Sequence, residues 1–249
     1  MTETFNDAFS DYNIPATYTV EYLTNLVVRR GYRADLSVGA FDGERLVGFV
    51  FNGLDGDAAY NSGTGVVISH RRRGIARQLM EHSIRTLPVK KYILEAIETN
   101  ERAAALYRDL GFIETRRLQC WAYTASARSS MSELANADLD RIRSWCDVAP
   151  TWQNDVRSIR RAREPYNVLG NEESAAVMFP SNADVAILAV DPSARRRGHG
   201  GRLLDALATR ANLPLRIINV DDRDAGIAAF LEQCGARRTV RQIEMVKRL

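Results

Sequence analysis

Cysteine is scarce in this chain: three residues in 249, Cys120, Cys146 and Cys234. An odd number without paired spacing excludes a disulfide framework and offers no zinc-ligand pattern, so each reads as a small buried apolar side chain. Histidine is equally sparse. His70, His82 and His199 stand at spacings that suit no metal, read as solvent-exposed, and leave no metal to expect. No uncharged apolar run approaches the roughly 18 residues that would suggest a membrane span, and Met1–Ser10 is polar and acidic rather than basic and then apolar. A cytoplasmic chain with no membrane partner is expected. A dominant charge is also missing: 34 Lys and Arg against 31 Asp and Glu leave +3. That balance does not indicate a polyanion-binding tail, and no nucleic-acid partner is expected.

What the chain does have is a repeat. Val66–Val67–Ile68–Ser69–His70–Arg71–Arg72–Arg73–Gly74–Ile75–Ala76 returns 124 positions later as Val190–Asp191–Pro192–Ser193–Ala194–Arg195–Arg196–Arg197–Gly198–His199–Gly200. The same offset links Leu79 with Leu203, Ile93 with Ile217, Ala104 with Ala228, Ala105 with Ala229, Gly111 with Gly235 and Arg117 with Arg241. A supersecondary unit used twice without slippage divides the chain into two domains, 1–127 and 128–249. Apolar residues at 45% can build a core in each.

The order within each copy carries chemistry. An apolar strand runs into arginines and a small residue, then into a helix starting near Gly74 or Gly198. A helix N-terminus presents unpaired amides and the positive end of its dipole, and a position without a large side chain lets a phosphate reach the backbone. A pyrophosphate suits such a cradle. The Gly-Lys-Ser/Thr ending of a nucleoside triphosphate loop is absent, as is the three-glycine dinucleotide fingerprint.

Strand and helix signals alternate in both halves, which indicates an α/β sheet in each. Residues 4–30 carry helical spacing with a break at Ile14–Pro15 and a stop at Gly31. Leu36–Phe41 and Arg45–Asn52 around Asp42–Gly43 predict a hairpin. Asp55–Gly56–Asp57 is a turn within Gly53–Ser62, which reads as a substrate-side loop. Gly65–Ile68 predicts a strand, Ile75–Thr86 a helix, Tyr92–Ile97 a strand and Glu101–Leu110 a helix capped by Gly111. A small, polar linker is placed at Thr124–Ser132. Beyond it the pattern predicts helices over 133–146 and 151–163, strands at 166–170, 175–180 and up to Val190, then helix 203–211, strand 215–220 and helix 225–234. Trp121, Trp145 and Trp152 read as core or interface anchors.

Arg71-x-x-Gly74-x-Ala76 and Arg195-x-x-Gly198-x-Gly200 resemble the acyl-coenzyme A signature of the GNAT superfamily of N-acyltransferases. Leu94–Glu95, Asn100, Ala103, Ala105, Leu106–Tyr107 and Gly111–Phe112 resemble that family's second signature at the family's spacing. The resemblance implies two tandem domains, each a mixed β-sheet splayed open between its central strands and flanked by helices. It implies acetyl-coenzyme A as co-substrate and a primary amine, on a small molecule or a peptide, as acceptor. Backbone groups of Gly65, Val66 and Val67 are expected to hold the pantetheine arm. The loop Arg71, Arg72, Arg73, Gly74, Ile75 and Ala76 is expected to hold the pyrophosphate, with Asn100 also contacting the cofactor.

Tyr107 matches the tyrosine that protonates the departing thiolate, and Glu95 a general-base position. Glu98, three residues on, faces the other way. The second copy keeps the loop pattern at Val190, Arg195, Arg196, Arg197, Gly198, His199 and Gly200, but has Asn219 for Glu95, Leu231 for Tyr107 and Asp224 for Asn100. Catalysis is therefore expected in the first half, with a degenerate second half. The competing reading is a sensor that binds acyl-coenzyme A or another nucleotide without turnover. Monomer and homodimer are both compatible with two fused copies. The first strand that the family places before its first helix has little room in Met1–Thr4.

Overall fold

A computed structural model describes residues 1–12, 18–125, 129–211 and 213–249. The expected break at Ile14–Pro15 and the expected boundary between residues 127 and 128 lie outside the described residues. Two compact units emerge. The first holds Met1–Ala96, Asn100–Thr115 and Glu244–Leu249; the second holds Ile97–Thr99 and Arg116–Ile243. They follow the repeat only in part, because residues 116–125 belong with the second unit and 244–249 with the first.

The first unit opens with helices α1 (Thr2–Phe9) and α2 (Val20–Arg29), so Met1–Thr4 supplies no strand. The Thr19 hydroxyl caps α2 by accepting from the Tyr22 amide at 3.1 Å. Strands β1 (Val38–Asp42), β2 (Arg45–Asp55) and β3 (Ala58–Val66) form antiparallel hairpins whose turns place Gly43 and Gly56 at φ +58°. Gly53–Ser62 is therefore not a loop: all but its two-residue turn lies in β2 and β3, because its aspartates serve turn chemistry between strand-forming runs. Helix α3 (Ile75–Thr86) crosses to β4 (Lys91–Ile97), which lies parallel to β3 and beside β10 (Arg237–Arg248). Helix α4 (Glu101–Asp109) then leads into β5 (Ile113–Tyr123).

In the second unit, α5 (Leu139–Ser144), a single 3-10 turn (Trp152–Asn154) and α6 (Val156–Arg161) replace the two longer helices expected. Pro150 and the caps Asp138 and Asp155 divide that stretch, each aspartate accepting from the first turn that follows it. Strands β6 (Asn167–Asn171), β7 (Ser174–Phe179) and β8 (Asp184–Val190) are antiparallel. Helix α7 (His199–Ala211) crosses to β9 (Leu215–Asp221), parallel to β8, and α8 (Ala225–Gln233) follows. The strand order in this unit is β10-β5-β9-β8-β7-β6. Trp121, Leu203, Leu207 and Leu231 fill one face; Ile142, Ile159, Phe179 and Ile187 fill the other. Trp121, Trp145 and Trp152 are all buried.

Each unit's central parallel pair is short. β3 meets β4 only over Ala58–Tyr60, and β8 meets β9 only at Asp184 and Val185. Just beyond, β3 carries one residue more than β2 between Asn61 and Gly63, and β8 one more than β7 between Val185 and Ile187. The extra residues, Ser62 and Ala186, are themselves 124 positions apart. A bulge bends its strand and ends regular pairing, so each central strand leaves its parallel neighbour and opens a gap. This is the splayed mixed sheet expected.

Asn52 holds the first unit's opposite flank together. Its amide nitrogen donates to the half-buried Leu36 carbonyl (2.7 Å) and to Ser83 Oγ (3.2 Å), while Tyr92 Oη donates to its oxygen (2.5 Å), Asn52, Ser83 and Tyr92 all being buried. Asn52→Ala leaves several of these buried groups without partners and is expected to cost the first unit about 3 kcal/mol, read from denaturant unfolding.

Candidate active site

The two arginine loops fold alike. Arg72 and Arg196 take φ +64° and +65°, and Gly74 and Gly198 take +76° and +82°, immediately before α3 and α7. Both glycine positions are open: a Cβ at Gly74 would meet only Gln78 Nε2 at 3.7 Å, and one at Gly198 only Arg202 Nη1 at 3.9 Å. Each loop thus leaves open space at a helix start, the kind of place where an anionic phosphate can approach backbone amides. Arg72 and Arg73 are exposed beside it.

Arg71 does a different job from the one expected. Its guanidinium donates bidentately to Asp11 at 2.6 and 2.9 Å and reaches the Ala8 and Val66 carbonyls at 2.9 and 3.3 Å. Arg195 repeats this with Asp147 (2.7 and 3.1 Å) and the Trp145 and Val190 carbonyls (2.7 and 3.3 Å). The planar fork fits a carboxylate edge, so this arginine clamps the segment after the first helix to the loop, and its charge is already paired. The Arg71 hydrogen bond also holds the Asp11 carboxyl below the usual carboxylate range. Neither His70 nor His199 is solvent-exposed as expected: their side chains are 13% and 11% accessible and pair with Asp42 (3.2 Å) and Glu173 (3.3 Å).

Along the gap, Gly65 and Val66 lie on the stretch of β3 that has left β4. Gly65 has no room for a side chain, since a Cβ would stand 2.5 Å from the Phe49 ring. The Val67 amide, expected to serve the pantetheine arm, donates instead to the Val47 carbonyl at 3.0 Å. Ile75 and Ala76 form the first turn of α3. Asn100 caps α4, its oxygen accepting from the Ala103 amide at 3.2 Å, and its amide donates to Tyr12 Oη at 2.8 Å. Asp224 caps α8 in the same way, accepting from the Ile227 amide at 3.1 Å. Tyr12, from the segment that Asp11 clamps, had no distinguishing mark in the sequence.

Glu95 and Tyr107 both reach β3, on either side of its bulge. Tyr60 Oη donates to Glu95 Oε2 at 3.0 Å, and the Tyr107 hydroxyl lies near Thr64. Glu98, on the opposite side, pairs with Arg241 at 3.3 Å and Arg117 at 3.6 Å. Burial pushes the Tyr107 hydroxyl up to about 12, the nearby Thr64 hydroxyl opposing the shift, so Tyr107 keeps its proton at neutral pH.

The second unit holds a cavity of about 730 Å³ at the corresponding gap. Asn219 stands on its wall at φ +59°, in a bulge where two β9 residues face Cys120 alone, a conformation asparagine tolerates better than glutamate. Its oxygen accepts from Gln242 Nε2 (2.8 Å) and its amide donates to Thr151 Oγ1 (3.3 Å), while Leu231 is fully buried in the core.

A tyrosine with a native pKa above its unfolded value of roughly 10 binds its proton more tightly when folded, so its contribution is complete below pH 10 and lost as pH rises through 12. Tyr107→Phe is therefore expected to remove up to about 3 kcal/mol of the stability lost between those limits, seen as a flatter dependence of Tm on pH.

Residues 1–112 match the sequence model of the Acetyltransferase (GNAT) family. No curated protein matches the chain in sequence. Among solved structures, a candidate acetyltransferase from Pyrococcus horikoshii is similar over 100% of this chain and 86% of its own, at 17% identity and a TM-score of 0.73. A tandem GNAT protein from the clavulanic acid biosynthesis pathway is similar over 99% and 93%, at 13% identity and a TM-score of 0.65. A GCN5-related N-acetyltransferase from Sphaerobacter thermophilus covers 99% and 91%, at 13% identity and a TM-score of 0.67. Residues 1–112 thus form a domain of the GNAT acetyltransferase family, and the chain as a whole has the fold of the tandem proteins of that kind.

Proposed function

We propose that the chain is an N-acetyltransferase that moves an acetyl group from acetyl-coenzyme A to a primary amine of a small molecule or peptide, in the cytoplasm, with the chemistry in its first unit. The observation that carries this reading is the convergence of Glu95 and Tyr107 on β3 where that strand leaves β4, with the Gly74 cradle at the end of the same strand. The open Gly74 position and the gap fit a phosphate-bearing molecule with a narrow arm. That molecule supplies the activated acyl group.

The residues supply the rest. Amides of the loop and of the first turn of α3 hold the phosphates, with Arg72 and Arg73 beside them to balance charge. Glu95 Oε2 takes a proton from the incoming amine, which frees its lone pair for attack on the thioester carbon. As the carbon–sulfur bond breaks, Tyr107 Oη gives its proton to sulfur. Burial keeps that proton in place through neutral pH.

Tyr107→Phe is expected to lower kcat roughly a hundredfold with little change in coenzyme A affinity, since the hydroxyl acts only as the bond breaks. Unchanged turnover, with chemistry rate-limiting, rejects the assignment. Glu95→Gln is expected to shift the pH profile of kcat/KM; a wild-type profile points instead to deprotonation through water. Gly74→Val, which places a branched side chain at φ +76°, is expected to abolish coenzyme A binding to the first unit in calorimetry. The alternative is a sensor with no turnover in either unit, and thiol release across a panel of amines separates the two.

A further inference from the structure

We propose that Glu244 is a positioning residue for the acid–base site of the first unit, a second carboxylate set opposite Glu95 that raises its affinity for the amine proton. The proposal rests on the reading of Glu95 as the base. Strand β10 runs antiparallel to β4: the Leu249 amide donates to the Lys90 carbonyl at 3.1 Å, and the Glu98 amide to the Arg241 carbonyl at 2.9 Å. Eight residues separate these contacts on either strand, so Glu95, three before Glu98, stands opposite Glu244, three after Arg241. Residues so paired share a face of the sheet with Cβ atoms about 5 Å apart, a spacing at which two glutamate carboxyls meet. Leu94, Ala96, Ile243 and Met245 flank the pair and are buried, as the alternating residues of the opposite face. The second unit shows the same pairing directly. Cys120 and Asn219, at the 124-residue offset from Glu244 and Glu95, face each other, with Cys120 Sγ 3.8 Å from Asn219 Oδ1.

Each carboxylate has its own partner. Tyr60 Oη donates to Glu95 Oε2 at 3.0 Å, and Thr115 Oγ1 donates to Glu244 Oε1 at 2.8 Å. A phenol that donates to a carboxylate favours its charged form, whereas a second negative charge alongside disfavours it. Tyr60 and Glu244 therefore pull Glu95 in opposite directions, and the balance sets how readily it takes a proton. Of the other charged groups on this flank, Arg29 at the end of α2 is buried and Arg30 Nη1 donates to the Ser62 carbonyl at 2.8 Å. On the side of α1, Asp7, Asp11 and Tyr12 pair with Arg45, Arg71 and Asn100, and Glu98 turns away to Arg241. Like charges directly opposite destabilise a sheet, and amine attack gives this pair a use. The N–H bond breaks, its electron pair stays on nitrogen for the thioester carbon, and the proton forms an O–H bond on Glu95 beside the remaining charge of Glu244. In the second copy Asn219 replaces Glu95, Cys120 replaces Glu244 and Asp184 replaces Tyr60. All three change together.

NMR of the intact chain, isotope-labelled at the glutamate side-chain carboxyls, tests this without a substrate. The resonance lost in Glu95→Gln identifies Glu95, and its titration midpoint is then followed in the variants. Glu244→Gln keeps the side-chain shape and an acceptor for Thr115, and is expected to lower the midpoint by about one pH unit; Tyr60→Phe is expected to raise it by about one. The double variant is expected to return near the parent value, whereas damage to packing alone would accumulate. Glu244→Asp, which draws the charge back by one methylene, is a gentler variant expected to lower the midpoint by less. Thiol release from acetyl-coenzyme A with the fastest amine of a panel is expected to show the same displacements in the acidic limb of kcat/KM, to lower pH in Glu244→Gln and to higher pH in Tyr60→Phe. A Glu95 midpoint that stays put or rises in both Glu244 variants overturns the proposal, whatever the activity. Midpoints that move as expected beside an unmoved rate profile uphold the carboxylate pair and overturn Glu95 as the base.

Discussion

One extra residue in a central strand sets up both candidate sites. A sheet whose parallel strands stayed paired would be a closed surface. With Ser62 and Ala186 inserted, β3 and β8 bend away after two or three paired residues, and the edges so freed face a gap instead of a neighbour. The helices that follow start at the open end of that gap because the crossover to the next strand begins there. The open loop and the cleft are thus placed together by a single local deformation, made twice.

The arginine that opens each loop shows how charge and architecture divide the work. A basic run before a helix start invites the reading that every arginine is there to neutralise an anion. Arg71 and Arg195 instead brace the backbone, each joining a carboxylate from the segment after the first helix to two carbonyls, while the arginines that follow them are exposed. A brace made of charge-assisted hydrogen bonds holds the loop in its left-handed turns from within the fold.

Helix α3 was legible from the sequence over the same residues, Ile75–Thr86, because an apolar period follows a glycine start, and the β1–β2 hairpin followed from Asp42–Gly43. The splayed sheet came from family resemblance, not periodicity. Strands β5 and β10 were not read, since five arginines in the first eight residues of β5 and the first five of β10 mask the alternation of half-buried strands. Pairings across distance were also hidden. Nothing local marks Asp11 as the partner of an arginine 60 positions away, Tyr12 as the partner of Asn100, or Ser62 as the residue that opens the gap. His70 and His199 look like surface residues in a polar run until tertiary structure brings an acid to each.

The grouping of Glu244–Leu249 with the first unit bears on how the protein is made. The Leu249 amide donates to the Lys90 carbonyl at 3.1 Å, and Thr115 Oγ1 reaches the Glu244 side chain at 2.8 Å, so contacts within that unit join residues more than a hundred positions apart. A ribosome that has finished β4 has yet to synthesise the strand that flanks it. The amino-terminal unit therefore waits with an unpaired β-edge until the whole of the other has emerged, and a nascent chain stalled in between is a natural client for a chaperone.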